Sequence, residues 1–166
     1  YNINMEKDIF NINKNQLSYG RGYVYFLQYH LVWCTKYRKK VLKDGIDLEC
    51  KKMLQDLAEE YRFQILAMEV MPDHIHMLLS IPPKLSVGDF MGYLKGKSTL
   101  MIFERHANMK YKYGRRCFWA KGYYVSTVGG NKAAIEKYIR NQETEDQMMD
   151  QLSFKEYEDP FKDLED

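Results

Sequence analysis

The sequence predicts an α+β domain of the ferredoxin-like type, in which an antiparallel sheet carries helices on one face. With 166 residues, the chain is long enough for one compact domain with its own core and short for two. Its content of 45% hydrophobic and 29% charged residues is typical of a globular protein. The residue patterns follow the order strand, helix, strand, strand, helix, strand, helix, which is the ferredoxin-like order. On this plan the first and third strands form the centre of the sheet.

The first strand and the first helix are predicted in the N-terminal third of the chain. Residues 23–35 are dense in aromatic and β-branched side chains, which predicts one long, buried strand. His30 lies within this strand and is interpreted as a core histidine rather than a ligand. Apolar residues then recur from Ile46 to Tyr61 at the three- and four-residue spacing of an amphipathic helix.

A His-x-His pair lies in the second strand of a predicted hairpin. Residues 63–71 form the first strand, 72–73 make the turn, and 74–81 form the second strand between two prolines. Because side chains alternate across a strand, His74 and His76 project from the same face. A lone His-x-His pair is more often a strand end with ordinary hydrogen bonds than a ligand pair, so both interpretations stay open at this point.

A second helix is predicted to begin at a capping box. Ser86 is followed three residues later by Asp89, which predicts a helix that runs to about Arg105. Glycine inside a helix costs about 1 kcal/mol relative to alanine, so a repeated glycine predicts close approach by a neighbouring element. Packing on the sheet is the favoured interpretation, with nucleic acid or a second subunit as the alternatives. The glycines of this helix fall at four-residue intervals, at Gly88, Gly92 and Gly96.

A fourth strand and a final helix complete the pattern. Residues 122–128 predict the strand, and Gly129 and Gly130 follow as a flexible pair. The helix after them extends through Gln142. Tyr138 and Gln142 are four residues apart and therefore share one face of this helix.

The charges of the chain are unevenly distributed. Residues 143–166 hold ten acidic and two basic residues, a net charge of −8, whereas residues 1–142 hold 23 basic and 13 acidic residues, a net charge of +10. A basic body with an acidic end predicts a surface that binds polyanions.

Two clusters, at 36–40 and 110–121, mix cations with aromatic rings. Such clusters suit a single-stranded nucleic acid, because the charges follow the phosphate backbone and the rings stack on bases. A solvated loop is the alternative for the first cluster. Lysines of the second helix lie nearby and add possible phosphate contacts. The residues predicted to contact DNA are Lys36, Tyr37, Arg38, Lys39, Lys95, Lys97, Lys112, Arg115, Arg116 and Lys121.

The histidine pair and the final helix could together form a metal-dependent site. Two neutral imidazoles with a side-chain oxygen such as that of Gln142 can hold a divalent ion and leave positions open for a phosphodiester. Tyr138, one turn earlier, would then lie beside the ion. A phenol with a pKa of about 10 is a poor nucleophile unless a cation stabilises its oxyanion. The alternative is that Tyr138 packs its ring on the sheet.

Four segments, taken in chain order, resemble the motifs of one known family. They are 29–38 (YHLVWCTKYR), 70–78 (VMPDHIHML), 118–129 (FWAKGYYVSTVG) and 137–142 (KYIRNQ). The family is that of the IS200/IS605-type single-tyrosine transposases of the HUH superfamily. The resemblance extends over most of the chain from Tyr23 to Gln142 and is far more specific than the His-x-His pair alone.

The resemblance implies roles for individual residues. His74 and His76 would be paired ligands of Mg²⁺ or Mn²⁺, Gln142 the third ligand, and Tyr138 the nucleophile. The tyrosine would attack a single-stranded DNA phosphodiester, keep a 5′-phosphotyrosine link and release a 3′-hydroxyl that later rejoins strands.

Family members are homodimers that recognise imperfect hairpins at the ends of the insertion element. Their final helix typically carries its tyrosine to the other subunit, and a hinge at Gly129 and Gly130 would suit that exchange. A domesticated relative, a replication-initiator nuclease of the same superfamily and a non-catalytic ferredoxin-like nucleic-acid-binding module are the alternatives.

The chain is divided into a loose or edge-forming N-terminal extension (1–20), the HUH transposase domain (21–145) and an acidic tail (146–166), and the two outer segments match no motif of the family. Three cysteines, odd in number and widely spaced, fit neither a disulfide framework nor a zinc site. No apolar run approaches the length of a membrane helix. The expected location is therefore the cytoplasm.

Overall fold

The computed structural model describes residues 17–112 and 117–127 of the protein. In this part of the chain the strands are β1 (Ser18–Gly20), β2 (Tyr23–Tyr25), β3 (Gln28–Cys34), β4 (Gln64–Val70), β5 (His74–Ser80) and β6 (Tyr124–Thr127). The helices are α1 (Ile46–Tyr61), α2 (Val87–Arg105) and α3 (Ala107–Lys112), with a short 3-10 helix at Lys36–Arg38.

Four strands form one antiparallel sheet in the order β4-β5-β3-β6. The first and third strands of the predicted plan correspond to β3 and β5, so the expected central pair is confirmed. Their register places Val32 opposite His76 and Cys34 opposite His74. Residues that lie opposite each other project from the same face of a sheet, so this register decides which side chains surround the two histidines.

The two faces of the sheet carry different residues. One face packs against α1 and α2 and forms the main core, to which Leu31, Trp33, Ile75 and Met77 contribute. The opposite face carries the alternate residues of the central strands, and a second, smaller buried cluster lies there with Val32 as a member. Period-two alternation of the side chains therefore separates the histidines from the main core.

The N-terminal elements differ from the prediction. Residues 23–35 form two strands instead of one, because β2 pairs with β1 in a separate two-stranded sheet and the chain joins the main sheet only at Gln28. The β1–β2 turn contains Gly22 at φ 86°, a conformation that favours glycine. Ser18–Gly20, predicted as loose or edge-forming, is thus the first strand of a hairpin.

The start of α2 follows the predicted capping box. The Ser86 hydroxyl oxygen accepts a hydrogen bond from the Asp89 backbone N–H at 3.0 Å. The prediction that the glycines of α2 pack closely on the sheet is wrong. Within the described part of the chain, a Cβ atom at Gly92 or Gly96 would meet no heavy atom within 4 Å, and one at Gly88 would meet only the Tyr123 hydroxyl at 3.8 Å. These glycines face outward because the apolar residues of α2 occupy the side that meets the sheet.

The short helix α3 was not predicted, since six residues are too few to give a periodic apolar pattern. Among the described residues, the helices fall short of the length and apolar character that crossing a membrane requires.

Candidate active site

Two histidines of β5 lie side by side on the sheet face away from the helices. His76 is buried, with 1% of its surface exposed, and the side chain of His74 is 12% exposed. Their ring centroids are 4.9 Å apart, and the ring planes are inclined by 76°. The structure therefore brings the two predicted metal ligands together at one point of the central strand.

His74 contacts the carboxylate of the residue before it. The Nδ1 atom of His74 lies 2.7 Å from Oδ1 of Asp73, and the other carboxylate oxygen accepts a hydrogen bond from Nε of Arg38 at 3.3 Å. Asp73 is itself 8% exposed. A carboxylate at this depth needs partners, because burial of an unpaired charge is costly, and Arg38 and His74 provide them.

His76 contacts a third histidine, on the neighbouring strand β3. The Nδ1 atom of His76 lies 3.1 Å from Nε2 of His30, and the two ring planes differ by 12°. His30 is buried, with 2% of its surface exposed. The expectation of a core histidine at this position agrees with its burial, and the contact with His76 adds a link to the site.

Burial keeps two of these imidazoles neutral. It lowers the pKa of His30 from 6.5 to about 4. It also lowers the pKa of His76 to about 3, with smaller contributions from the charges that His74 and His30 would carry. A neutral imidazole retains a lone pair on one ring nitrogen, which is the form that binds metals.

The histidine pair could supply two ligands to a divalent ion. Nε2 of His74 is buried and has no hydrogen-bond partner among the described residues, a state that a bond to a metal would relieve. Imidazole nitrogens are common ligands of transition-metal ions, whereas Mg²⁺ is bound mainly through oxygen atoms. Residues 17–112 and 117–127 contain no group of three His, Cys, Asp or Glu side chains that could hold a metal. The predicted third ligand, Gln142, lies outside this part of the chain.

Several other predicted residues also lie outside the described residues. They are the nucleophile Tyr138, the hinge residues Gly129 and Gly130, and the basic residues Arg115 and Arg116. Lys112 is the last residue of α3, and its side chain lies outside the described part of the structure. Their predicted roles therefore stay predictions.

Comparison with known proteins identifies the family of the chain. Residues 23–142 match the family described as IS200-like transposases. The chain belongs to this family. The resemblance seen in the four sequence segments is thus confirmed, and the protein is an IS200-like transposase.

Individual relatives agree with this assignment. The transposase for insertion sequence element IS200 of Salmonella typhimurium is 48% identical over 134 residues, which cover 81% of this chain and 88% of that protein. The ISDra2 transposase TnpA of Deinococcus radiodurans is 41% identical over 128 residues, 76% of this chain and 91% of that protein. A crystal structure from Deinococcus radiodurans R1, assigned as a transposase, superposes with a TM-score of 0.62 at 40% identity and covers 75% of this chain and 97% of its own. The predicted α+β fold is confirmed.

The first basic cluster of this transposase forms a turn directly after β3. Tyr37 is 64% exposed, and the ammonium groups of Lys36 and Lys39 lie 5.2 Å and 5.8 Å from the centroid of its ring. Tyr37 and Arg38 adopt positive φ values of 58° and 48°, which are uncommon for residues with side chains. The turn thus presents an exposed ring with two cations close to it, while Arg38 points back to Asp73.

Lys95 has a different role from the predicted phosphate contact. Its ammonium group donates hydrogen bonds to the backbone oxygens of Ala120, Lys121 and Gly122, at 2.8, 3.1 and 2.8 Å. An ammonium has three N–H donors, so a phosphate would have to compete with three carbonyls. Lys95 therefore fixes the segment that leads into β6, a role that only the tertiary structure reveals.

The second basic cluster is divided between surface and core. Phe118 and Trp119 are 0% and 4% exposed, so their rings belong to the core and cannot stack on bases as predicted. Lys97 and Lys121 are exposed and lie on an open groove of about 600 Å³ between α2 and the segment before β6. Gly92 and Gly96 also line this groove.

Two residues of the site were assigned no catalytic role from the sequence. Asp73 lies in the segment 70–78, directly before His74. A carboxylate next to a proposed metal ligand is a signal that could have identified it. The contact of His30 with His76 depends on the register of β3 and β5, so the sequence contained no local signal for it.

Proposed function

We propose that this transposase cleaves and rejoins single-stranded DNA through a 5′-phosphotyrosine link at Tyr138. The observation that supports the proposal is the pair of adjacent histidines on β5, of which His76 is buried and His74 partly buried. Each is held at Nδ1 by a neighbouring side chain, and the pair is suited to bind a divalent ion. His74, His76 and Gln142 are the proposed ligands of Mg²⁺ or Mn²⁺. When bound, the ion supplies Lewis-acid stabilisation of the negative charge that develops on the phenolate and on the phosphate oxygens.

The proposed reaction consists of two balanced exchanges. The Tyr138 hydroxyl loses its proton and attacks phosphorus, the bond from phosphorus to the 3′-oxygen breaks, and that oxygen leaves as a 3′-hydroxyl after taking up a proton. A 3′-hydroxyl later attacks the phosphotyrosine, and the phenol is released with a proton. Neither step hydrolyses the DNA, because the phosphotyrosine link is itself a phosphodiester that replaces the cleaved one until the strands are rejoined.

The proposed substrate is single-stranded DNA that carries hairpins at the ends of an insertion element. The turn at Lys36–Arg38 supports this, because an exposed ring flanked by cations can stack on a base while the charges lie near phosphates. We further propose that the enzyme acts as a homodimer and that Gly129 and Gly130 allow the helix with Tyr138 to reach the partner's histidine pair.

The proposal is tested with the full-length protein, Mn²⁺ and a single-stranded oligonucleotide that contains the end hairpin of the element. The wild-type protein should form an adduct that survives denaturing electrophoresis, and Tyr138→Phe should form none. His76→Ala should reduce the adduct strongly, since one proposed ligand is missing. Tyr61→Phe, a change of the same kind on the surface of α1, serves as the matched control and should form the adduct normally.

An adduct formed equally by Tyr138→Phe contradicts the assignment of the nucleophile. Normal DNA binding without any adduct in the wild-type protein would instead favour the non-catalytic nucleic-acid-binding module.

A further inference from the structure

Asp73 is a buried carboxylate with a defined partner on each oxygen. Oδ1 lies 2.7 Å from Nδ1 of His74, and Oδ2 accepts from Nε of Arg38 at 3.3 Å. The residue is 8% exposed. Contacts on both sides fix the orientation of the carboxylate, so the plane of its hydrogen bond to His74 is fixed as well.

The contact with Asp73 determines which nitrogen of His74 carries the proton. A carboxylate accepts hydrogen bonds and does not donate them, so Nδ1 of His74 must be the N–H donor. In the neutral ring the lone pair is then on Nε2, and Nε2 of His74 is the buried atom that has no hydrogen-bond partner among the described residues. The protein thus holds the lone pair of His74 in a buried position where a ligand could use it.

We infer that Asp73 is a positioning residue of the metal site. It fixes His74 as the Nδ1–H tautomer and holds the ring so that Nε2 can bind a divalent cation. A carboxylate behind a histidine ligand raises the basicity of the ligand and prevents rotation of its ring. This inference rests on the proposed metal site of the preceding subsection and adds a residue that touches the ligand rather than the metal.

Hydrogen bonds also fix the backbone around Asp73. The carbonyl of Asp73 accepts a hydrogen bond from the N–H of Thr35 at 2.9 Å, and Thr35 is 0% exposed. The preceding carbonyl, of Pro72, accepts from the N–H of Leu42 at 2.9 Å. The turn after β3 therefore clamps the residue that orients the histidine.

Arg38 belongs to this clamp. Its φ of 48° lies in the left-handed region, and non-glycine residues persist there only where the surrounding structure holds them. The positive φ values of Tyr37 and Arg38 turn the chain so that Arg38 reaches the carboxylate while Tyr37 stays exposed. Arg38 therefore serves first to hold Asp73, although the sequence alone suggested a contact with DNA.

The inference is tested by Mn²⁺ titration of the full-length protein at neutral pH, followed by electron paramagnetic resonance. Asp73→Ala should bind Mn²⁺ about 10- to 100-fold more weakly than the wild-type protein. Asp73→Asn retains an acceptor oxygen but lacks the charge, so its affinity should fall by less. Asp56→Ala, which removes an exposed carboxylate of α1, is the matched control and should bind as the wild-type protein does.

A second measurement uses the metal-free protein. Two-bond ¹H–¹⁵N correlation spectra distinguish the two neutral tautomers of each histidine. His74 should be the Nδ1–H tautomer in the wild-type protein and in Asp56→Ala, and should become a mixture in Asp73→Ala. A purely structural role for Asp73 would change the unfolding temperature without changing this signature.

The outcomes separate the inference from the proposed function. A folded Asp73 variant, alanine or asparagine, that binds Mn²⁺ with the wild-type affinity overturns the inference, as does an unchanged His74 tautomer in Asp73→Ala. A wild-type protein that binds no Mn²⁺ overturns the proposed metal site and the inference with it. The asparagine variant covers the case in which the alanine variant does not fold, because asparagine nearly preserves the shape of the side chain.

Discussion

Nε2 of His30 lies 3.1 Å from Nδ1 of His76, so a histidine of β3 holds a proposed metal ligand of β5. The two rings are nearly coplanar, with planes 12° apart, which suits a hydrogen bond between ring nitrogens. If Nε2 of His76 binds a metal, Nδ1 must carry the proton and donate it to His30. The two proposed ligands are thus oriented by different groups, His74 by a carboxylate and His76 by an imidazole.

We expect His30→Leu to weaken Mn²⁺ binding about tenfold or more, because the proton on Nδ1 of His76 loses its acceptor. Isothermal titration calorimetry of the full-length protein measures the change. His106→Leu removes a histidine that contacts Glu49 away from the site and should leave the affinity unchanged. Equal affinities for His30→Leu and the wild-type protein would show that His30 does not orient the ligand.

Acid should destabilise the metal-free protein through the buried histidines. The folded-state pKa values of His30 and His76, about 4 and about 3, lie below the unfolded value of 6.5. Their contribution to stability is therefore present above about pH 6.5 and is lost as the pH falls toward 4 and 3. Each histidine can lower the free energy of unfolding by up to about 1.4 kcal/mol per pH unit.

Urea unfolding between about pH 6.5 and pH 5 measures this loss, in a range where most carboxylates remain ionised. His30→Leu should show a smaller pH slope than the wild-type protein, because one of the two titrating groups is gone. The explanation is wrong if the free energy of unfolding of the wild-type protein does not change over this pH range, or if the two proteins show the same pH slope.

Gly92→Ala and Gly96→Ala should each stabilise the protein by about 0.5–1 kcal/mol. Alanine reduces the conformational entropy of the unfolded chain and favours the helix, and a Cβ at either position meets no heavy atom of residues 17–112 and 117–127 within 4 Å. Urea unfolding provides the measurement. Gly45→Ala is the matched control and should destabilise the protein, because Gly45 has a φ of 95° that strains any other residue. Loss of stability in both α2 variants would mean that these glycines are packed after all.

Lys36→Gln and Lys39→Gln should each reduce the salt dependence of DNA binding. Every phosphate contact with single-stranded DNA contributes about 0.7 to the slope of log affinity against log salt. Fluorescence anisotropy with the hairpin oligonucleotide at several salt concentrations gives the slope. Lys52→Gln, on the surface of α1 and paired with Asp56, should keep the wild-type slope. Unchanged slopes in both variants would show that neither Lys36 nor Lys39 contacts a phosphate of the bound DNA.

Local patterns predicted much of this fold. The helix from Ile46 to Tyr61 and the cap at Ser86 depend on residues close in sequence, and both occur as expected. The shared face of His74 and His76 follows from the period of a strand. These features were accessible because each depends on backbone geometry within a few residues.

Other features depend on distant parts of the chain and could not be predicted. The three carbonyls that bind Lys95 come from residues 120–122, and nothing near Lys95 in the sequence indicates them. The contact between His30 and His76 requires the register of β3 and β5, in which a shift by one residue would turn His30 to the other face. The outward glycines of α2 were misjudged for a different reason, because their side of the helix could have been read from the sequence: at helical spacing they lie opposite the buried residues Phe90, Met91 and Leu94.

The central claim is that Tyr138 becomes covalently linked to the 5′-phosphate of cleaved single-stranded DNA. Mass spectrometry of the adduct, after nuclease and trypsin digestion, tests this claim most directly. Trypsin cuts after Lys137 and Arg140, so the residual nucleotide should be found on the short peptide 138–140, attached through the tyrosine oxygen. A nucleotide on any other peptide, or a 3′-phosphate link at Tyr138, would contradict the account.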